Sequence, residues 1–130
     1  MTDYKFGIDN EIKILPELEK YFGEPLKKTE DRYSFYDFHG ENCYIEYKQR
    51  RCSVMTYPDT MVGLDKILEA QDNGIQDDFY CAFGFTDGVY IWKFNGDEYS
   101  VREGGRCDRG RSEFRQYVFV NTKYLIKICD

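Results

Sequence analysis

The sequence predicts an α/β protein built around a mixed, strongly twisted β-sheet, with one helix before and one helix after the first three strands. Aromatic residues make up 18% of the 130 residues, and such side chains favour sheet over helix. The dipeptides Asp87-Gly88 and Asn95-Gly96 are strong turn signals between strand-like runs, whereas two other segments carry apolar residues at helical spacing. A chain of this length can bury about two-thirds of its unfolded surface, so we expect one domain over residues 1–130.

The first helix is predicted over residues 9–23. Asp9 or Asn10 would cap it, apolar residues recur at helical spacing, and Gly23 would end it. The apolar positions are Ile8, Ile12, Leu15, Leu18 and Phe22. Pro16 leaves two alternatives open, because the helix either kinks there or has its main part begin at Pro16 as the first residue.

The next predicted element is an antiparallel hairpin with strands at 33–39 and 42–49 and a two-residue turn at Gly40-Glu41. A third strand is predicted at 51–57. A second helix would then run from a cap at Asp59 or Thr60 to about Asp72. The remaining predicted elements are strands at 78–85, 89–94, 98–102 and 113–120, a polar loop at 103–112, and either a short helix or a last strand through Ile128.

A carboxylate pair and a lysine are predicted to share one face of this hairpin. In the predicted register Asp37 lies opposite Tyr44 and diagonal to Glu46, and Lys48 follows Glu46 on the same face because side chains alternate with period 2. A loop with an odd number of residues would send Asp37 to the other face. Carboxylates suit a hard divalent cation, and a lysine beside that cation can hold or deprotonate an attacking water. The pattern therefore indicates metal-dependent phosphodiester hydrolysis, with a solvated strand edge as the alternative.

Asp37, placed nine positions before Glu46-x-Lys48 in a β-forming run, resembles the motif of the PD-(D/E)XK nuclease superfamily. The resemblance covers residues 8–94 as an order of elements, helix, three strands, helix, strand, and implies a restriction-endonuclease-like core with additional C-terminal strands. It also implies that Asp37 and Glu46 bind Mg²⁺ or Mn²⁺ and that Lys48 positions the water. Tyr36 stands where the superfamily's namesake proline would be.

The same resemblance implies further metal ligands. One is an acid on the first helix, for which Glu11 is our first choice and Glu17 our second; another is the main-chain carbonyl of Tyr47. Acids near the start of a helix also complement its dipole, which is the alternative for either glutamate alone. Two shorter segments, 56–63 and 108–110, resemble parts of small nuclease-like proteins of large DNA viruses.

The charge distribution suggests where nucleic acid would bind. A net charge of −6 argues against tight non-specific binding, which depends on neutralised phosphates. However, residues 100–130 carry 7 basic and 4 acidic groups, a net charge of +3. A solvated arginine-rich loop is the alternative explanation of this excess. The residues predicted to contact the substrate strand are Gln49, Arg50, Arg51, Lys66, Arg106, Arg109 and Arg111.

Other features narrow the class of protein. The five cysteines are odd in number and never form a Cys-x-x-Cys pair, which predicts reduced thiols in a soluble, intracellular protein, located in the host cytoplasm or nucleus if it is viral. No apolar run approaches a membrane span. His39 is the only histidine, which excludes a multi-histidine metal site. We therefore expect a Mg²⁺- or Mn²⁺-dependent nuclease acting on nucleic acid, with DNA preferred and a homodimer allowed. The alternative is a catalytically inactive module of the same fold that binds a protein or nucleic-acid ends.

Overall fold

The computed structural model describes residues 3–30, 34–94, 99–106 and 113–130, and for residues 3–11, 104–106 and 113–115 it describes the backbone alone. Within these ranges the chain forms two α-helices and nine strands. In chain order they are α1 (Asp3–Phe22), β1 (Lys27–Lys28), β2 (Phe38–His39), β3 (Tyr44–Gln49), β4 (Asp59–Gly63), α2 (Leu64–Asp72), β5 (Phe79–Phe85), β6 (Gly88–Lys93), β7 (Tyr99–Arg106), β8 (Glu113–Asn121) and β9 (Ile126–Cys129). Short 3₁₀ turns occur at Gln76–Asp78 and Thr122–Tyr124.

The larger sheet has the strand order β1-β2-β3-β5-β6-β9. β3 and β5 are parallel, with Glu46 opposite Cys81 and Lys48 opposite Phe83, and the other neighbouring pairs are antiparallel. A parallel pair needs a long crossover, which here contains β4 and α2. The predicted α/β architecture with a mixed sheet and two helices is confirmed.

The two faces of the larger sheet are covered by different layers. α1 packs on one face, where Leu18 and Ile45 belong to the same buried cluster. On the other face, α2 and a smaller antiparallel sheet of order β4-β8-β7 cover a second cluster that contains Phe83. Because side chains alternate along β3, Tyr47 faces α1 whereas Tyr44, Glu46 and Lys48 face the α2 side.

The first helix is longer than predicted. It begins at Asp3 and continues through Pro16, so the alternative in which the main helix begins at Pro16 is wrong. Proline removes the hydrogen bond to the carbonyl of Ile12, but Ile12 is 62% exposed and water can replace that donor. Ile12 was predicted to face the core, and Ile14 is buried instead. Gly23, with φ of 72°, follows the helix as predicted.

The predicted hairpin register is wrong by two residues. Phe38 lies opposite Ile45, and β2 contains only two residues. The connection is Gly40–Cys43 rather than a two-residue turn, and the Gly40 N–H donates to the Cys43 carbonyl at 2.9 Å. Since both connections have an even number of residues, the side chains of β2 have the predicted faces relative to those of β3.

The predicted strand at 51–57 is absent from this fully described segment, and the predicted helix start at Asp59 or Thr60 is wrong. β4 occupies these positions, and α2 begins only at Leu64. Thr60 and Val62 are buried and pair with Val120 and Val118 of β8. Pairing with this apolar strand outweighs the local preference of Asp and Thr for a helix cap.

The later strands agree better with prediction. β5, β6 and β8 lie within one or two residues of their predicted bounds. β7 continues to Arg106, so the predicted polar loop at 103–112 begins too early, while the predicted turn at Asn95-Gly96 falls outside the described residues. Both proposed endings occur, since the 3₁₀ turn Thr122–Tyr124 is followed by β9.

Candidate active site

The carboxylate of Asp37 lies where the pairing between β2 and β3 ends. The Asp37 N–H donates to the Ile45 carbonyl at 2.8 Å, and Asp37 Oδ2 accepts from the Tyr47 N–H, also at 2.8 Å. The side chain therefore provides the acceptor that a longer β2 would have supplied. This contact holds the half-buried carboxylate of Asp37 against the middle of β3.

Glu46 is the one glutamate among the buried polar residues of the described chain, with 3% of its surface exposed. The Lys48 Nζ lies 3.3 Å from Glu46 Oε1, and the Lys48 side chain is 43% exposed. Burial, and then the negative charge of Asp37, raise the pKa of Glu46 to about 7, although the ammonium groups of Lys48 and Lys66 oppose this. Asp37 is therefore close enough to Glu46 for the two charges to repel.

Lys66 adds a second cation to the site. It lies in the first half of α2, is half-buried, and is one of two lysines whose charge lowers the pKa of Glu46. Sequence reasoning placed Lys66 among the substrate contacts without relating it to the carboxylates. The structure places the charges of Asp37, Lys48 and Lys66 near enough to Glu46 to shift its pKa.

Tyr47 and Gln49 project from the opposite face of β3. The Tyr47 hydroxyl donates to Gln49 Oε1, so Gln49 lies away from the face of Glu46 and Lys48. A Cβ atom at Gly84 would overlap that hydroxyl, which explains the glycine in an otherwise bulky strand. Sequence reasoning missed Gly84, although an isolated glycine in a strand is itself a signal of close approach. The Tyr47 carbonyl points to the same edge of β3 as the Tyr47 N–H, which is the edge that Asp37 occupies.

Arg50 is used differently from the prediction. Its guanidinium donates to the Met61 carbonyl at 2.6 Å and lies 5.7 Å from the centre of the Phe83 ring. Burial lowers the pKa of this guanidinium. Arg50 therefore ties the end of β3 to β4, a structural role that the predicted substrate contact did not include. Arg51, the next residue, is exposed.

The other predicted residues lie apart from this cluster or cannot be placed. Glu17 lines a cavity of about 250 Å³ on the α1 side of the sheet, together with Tyr47 and Gln49. Glu11 lies within α1, and its side chain is outside what the structure describes. The side chain of Arg106, at the end of β7, is likewise outside the described part, as are all atoms of Arg109 and Arg111.

Among the side chains that the structure describes, two acids lie at this site. Within that part of the chain, which leaves out the Glu11 side chain, no set of three or more His, Cys, Asp and Glu side chains is arranged to hold a metal ion. Asp37, Glu46 and the Tyr47 carbonyl are the groups that could share one cation. None of the described helices is long and apolar enough to cross a membrane.

Comparison with known proteins identifies the family. A family model described as "Phage putative PDDEXK endonuclease" matches residues 9–125, which is nine-tenths of the chain and includes the whole cluster around Glu46. The chain therefore belongs to this family, and the resemblance to the PD-(D/E)XK nuclease superfamily is confirmed. The same comparisons find no significant match among curated proteins or solved structures.

Proposed function

We propose that this protein is a Mg²⁺- or Mn²⁺-dependent nuclease that hydrolyses phosphodiester bonds in nucleic acid, with DNA as the preferred substrate. The observation that carries the proposal is the buried carboxylate of Glu46 beside Asp37 and Lys48, in a chain that belongs to a nuclease family. A buried glutamate beside a second acid has no obvious value for stability, because burial and the repulsion by Asp37 both act against the charged form of Glu46.

The donor set fits a hard divalent cation. Two carboxylates with a main-chain carbonyl on the adjoining strand edge are the oxygen ligands that Mg²⁺ and Mn²⁺ prefer, and waters and a phosphate oxygen complete such a shell. The raised pKa of Glu46 supports the same conclusion, because positive charge between the two acids would favour their ionised forms. We propose that Asp37, Glu46 and the Tyr47 carbonyl hold the cation, with Glu11 as a further candidate.

Residues of the chain would orient the water and stabilise the charge that develops on the phosphate. A bound cation would polarise the phosphoryl oxygen and lower the pKa of a water. Lys48 lies beside Glu46 and is partly exposed, so its ammonium can orient the attacking water and stabilise negative charge as it develops on the phosphate. Lys66 lies near enough to contact a neighbouring phosphate. Asp37, held by the Tyr47 N–H, keeps a fixed position relative to β3.

The element order supports a restriction-endonuclease-like core in one nuclease domain. α1, the strands β1 to β3, α2 and β5 follow the order helix, three strands, helix, strand, with β4 inserted before α2. β7, β8 and β9 would then be additions to this core.

We propose that substrate phosphates are contacted by Lys66, Arg51 and the arginines Arg106, Arg109 and Arg111. Each phosphate contact contributes roughly −0.9 to the slope of log affinity against log salt for duplex DNA. Changing Arg106, Arg109 and Arg111 together to Ala should therefore flatten the slope by up to about three. An unchanged slope would limit the phosphate contacts to the residues near β3 and α2.

A catalytically inactive binding module of the same family is the second candidate. The Glu46–Lys48 ion pair favours it, because a structural ion pair needs no cation. In that case the protein would bind nucleic-acid ends or a protein without cleaving a phosphodiester bond.

Cleavage assays distinguish the two candidates. Single-stranded, duplex and branched DNA, and RNA, are incubated with the protein in Mg²⁺, Mn²⁺ or EDTA. We expect cleavage only with metal, and its loss by about 10²-fold or more in Asp37→Asn and Glu46→Gln. Glu69→Gln, an exposed acid on α2, is the matched control and should retain full activity. Undiminished cleavage by Glu46→Gln would overturn the proposed mechanism, and no cleavage of any substrate would favour the binding module.

A further inference from the structure

A cavity of about 310 Å³ opens just beyond the proposed catalytic lysine. Arg50 lines it and lies two residues after Lys48 on the same face of the chain, so the cavity begins roughly 7 Å from Lys48 along the strand direction. Its volume is at the lower end of pockets that hold small organic groups, roughly 300–1,000 Å³. The cavity therefore lies within reach of the nucleotide next to a phosphate at Lys48.

The lining combines aromatic and polar residues. Tyr57, Phe85 and Phe119 are its aromatic residues, and Asp59 and Thr60 are among its polar ones. Arg102 holds two of these lining residues in place. Its guanidinium lies 3.9 Å from the centre of the Phe119 ring and donates to Asp59 Oδ2 at 2.6 Å. A nucleobase has matching chemistry, with an aromatic face and a hydrogen-bonding edge.

The loop of residues 51–58, between β3 and β4, is fixed to the rest of the protein. The Val54 N–H donates to Asp87 Oδ1 at 3.0 Å, and the Thr122 N–H donates to the Pro58 carbonyl at 3.0 Å. A loop held in this way loses little conformational entropy when a ligand binds to it.

This fixed loop nevertheless exposes large apolar side chains. Met55 is 81% exposed and Tyr57 is 64% exposed, and Tyr57 also lines the cavity. Exposed aromatic rings beside cationic groups are typical of surfaces on which bases stack. Arg51 is exposed at the start of the loop, and Lys48, three residues earlier, is partly exposed, so the cavity lies beside positive charge that suits a polyanion.

We propose that Tyr57 and the cavity bind one unpaired base of the strand whose phosphate lies at Lys48. The substrate class is then nucleic acid with an unpaired base beside the cleaved bond, such as single-stranded or bulged DNA, rather than continuous duplex. A paired base cannot enter the cavity without first leaving its stack, which costs free energy that an unpaired base does not lose. This inference rests on the proposed nuclease function and adds the substrate class.

The test measures binding with Ca²⁺ as the cation, by fluorescence anisotropy of dye-labelled DNA. The two probes are a fully paired duplex and the same duplex with a single unpaired 2-aminopurine. We expect the bulged DNA to bind about tenfold more tightly, because stacking of one base on an aromatic side chain is of that order. We also expect 2-aminopurine fluorescence to be quenched on binding. Tyr57→Ala should remove both effects and leave duplex affinity within about twofold, whereas Tyr57→Trp should retain them.

Tyr21→Ala is the matched control, because Tyr21 is an exposed tyrosine on α1, the helix that packs on the other face of the sheet. Equal affinity for the two probes, or an equal loss for both in Tyr57→Ala, overturns the inference and leaves the loop as a contact for another protein. If cleavage depends on Asp37 but the preference does not depend on Tyr57, the substrate class is wrong and the nuclease function stands. If the preference for bulged DNA depends on Tyr57 but no nucleic acid is cleaved, the base-binding site stands and the nuclease function is wrong.

Discussion

Asp37 Oδ2 accepts a 2.8 Å hydrogen bond from the main-chain N–H of Tyr47, so one acid of the candidate site is tied to the strand that carries the other. Because Tyr47 lies between Glu46 and Lys48, this bond sets the position of Asp37 relative to both. The Asp37 carboxylate thus has a structural role and a proposed metal-binding role. Substitutions that keep or remove its hydrogen-bond acceptor should distinguish the two roles.

We predict that Asp37→Asn and Asp37→Ala both abolish cleavage but differ in stability. Asparagine retains an oxygen that can accept from the Tyr47 N–H, whereas alanine leaves that partly buried donor without its acceptor, at a cost of about 1–3 kcal/mol. Urea unfolding in EDTA measures the difference. Equal stability of the two variants would show that water replaces the carboxylate and that the bond does not position Asp37.

Lys48 should affect turnover rather than folding. Its side chain is 43% exposed, so Lys48→Met should unfold at nearly the same urea concentration as the unmodified protein and still bind Mn²⁺. The single-turnover cleavage rate should fall by about 10²-fold or more, the scale for losing a general-base or electrostatic group. Lys20→Met, on the exposed side of α1, is the control. A loss of Mn²⁺ affinity equal to the loss of rate would assign Lys48 to metal binding instead.

Stability in EDTA should depend on pH through Glu46. Its pKa is raised from 4.5 to about 7 by folding, so the folded state holds this proton more tightly than the unfolded state. The free energy of unfolding should therefore fall as pH rises from about 4.5 to about 7, by up to about 3 kcal/mol, and level off above that range. Glu46→Gln should lack this contribution.

Urea unfolding at pH 5 and pH 8 provides the measurement, taken as the difference between the unmodified protein and Glu46→Gln. At pH 8, saturating Mg²⁺ should reduce the difference in free energy of unfolding between the two proteins, because a cation favours the ionised carboxylate of Glu46. A difference that stays the same at both pH values in EDTA would show that Glu46 is ionised throughout.

Arg50 should stabilise the fold rather than bind substrate. Its guanidinium bonds the Met61 carbonyl at 2.6 Å, and Arg50→Met should lower the free energy of unfolding by about 1–3 kcal/mol. The salt dependence of DNA binding should change little, whereas Arg51→Met should reduce it. If Arg50→Met instead leaves stability unchanged and flattens the slope of log DNA affinity against log salt, Arg50 contacts the substrate.

The sequence predicted the face shared by Glu46 and Lys48, and most strands, because both depend on local patterns. β3 and β5 are runs of bulky residues that suit a buried sheet, and Glu46 and Lys48 share a face through the period of the strand alone. The face of Asp37 was predictable only because the actual connection and the assumed turn both have an even number of residues.

Other features depended on partners that are distant in the sequence. β4 pairs with β8 some sixty residues later, and this pairing turned an apparent helix cap at Thr60 into a strand. The role of Arg50 could not be predicted, because the Met61 carbonyl that it binds is brought near by the same pairing. The charge of Lys66 acts on Glu46 only because α2 lies in the crossover between β3 and β5.

The central claim is that Asp37 and Glu46 share one catalytic cation, and a crystal structure grown with Mn²⁺ tests it most directly. Anomalous scattering locates Mn²⁺ without reference to any assumed site. We predict one Mn²⁺ peak within roughly 2.5 Å of a carboxylate oxygen of both Asp37 and Glu46. A map in which Mn²⁺, at a concentration that supports cleavage, contacts neither carboxylate or only one of them would contradict it.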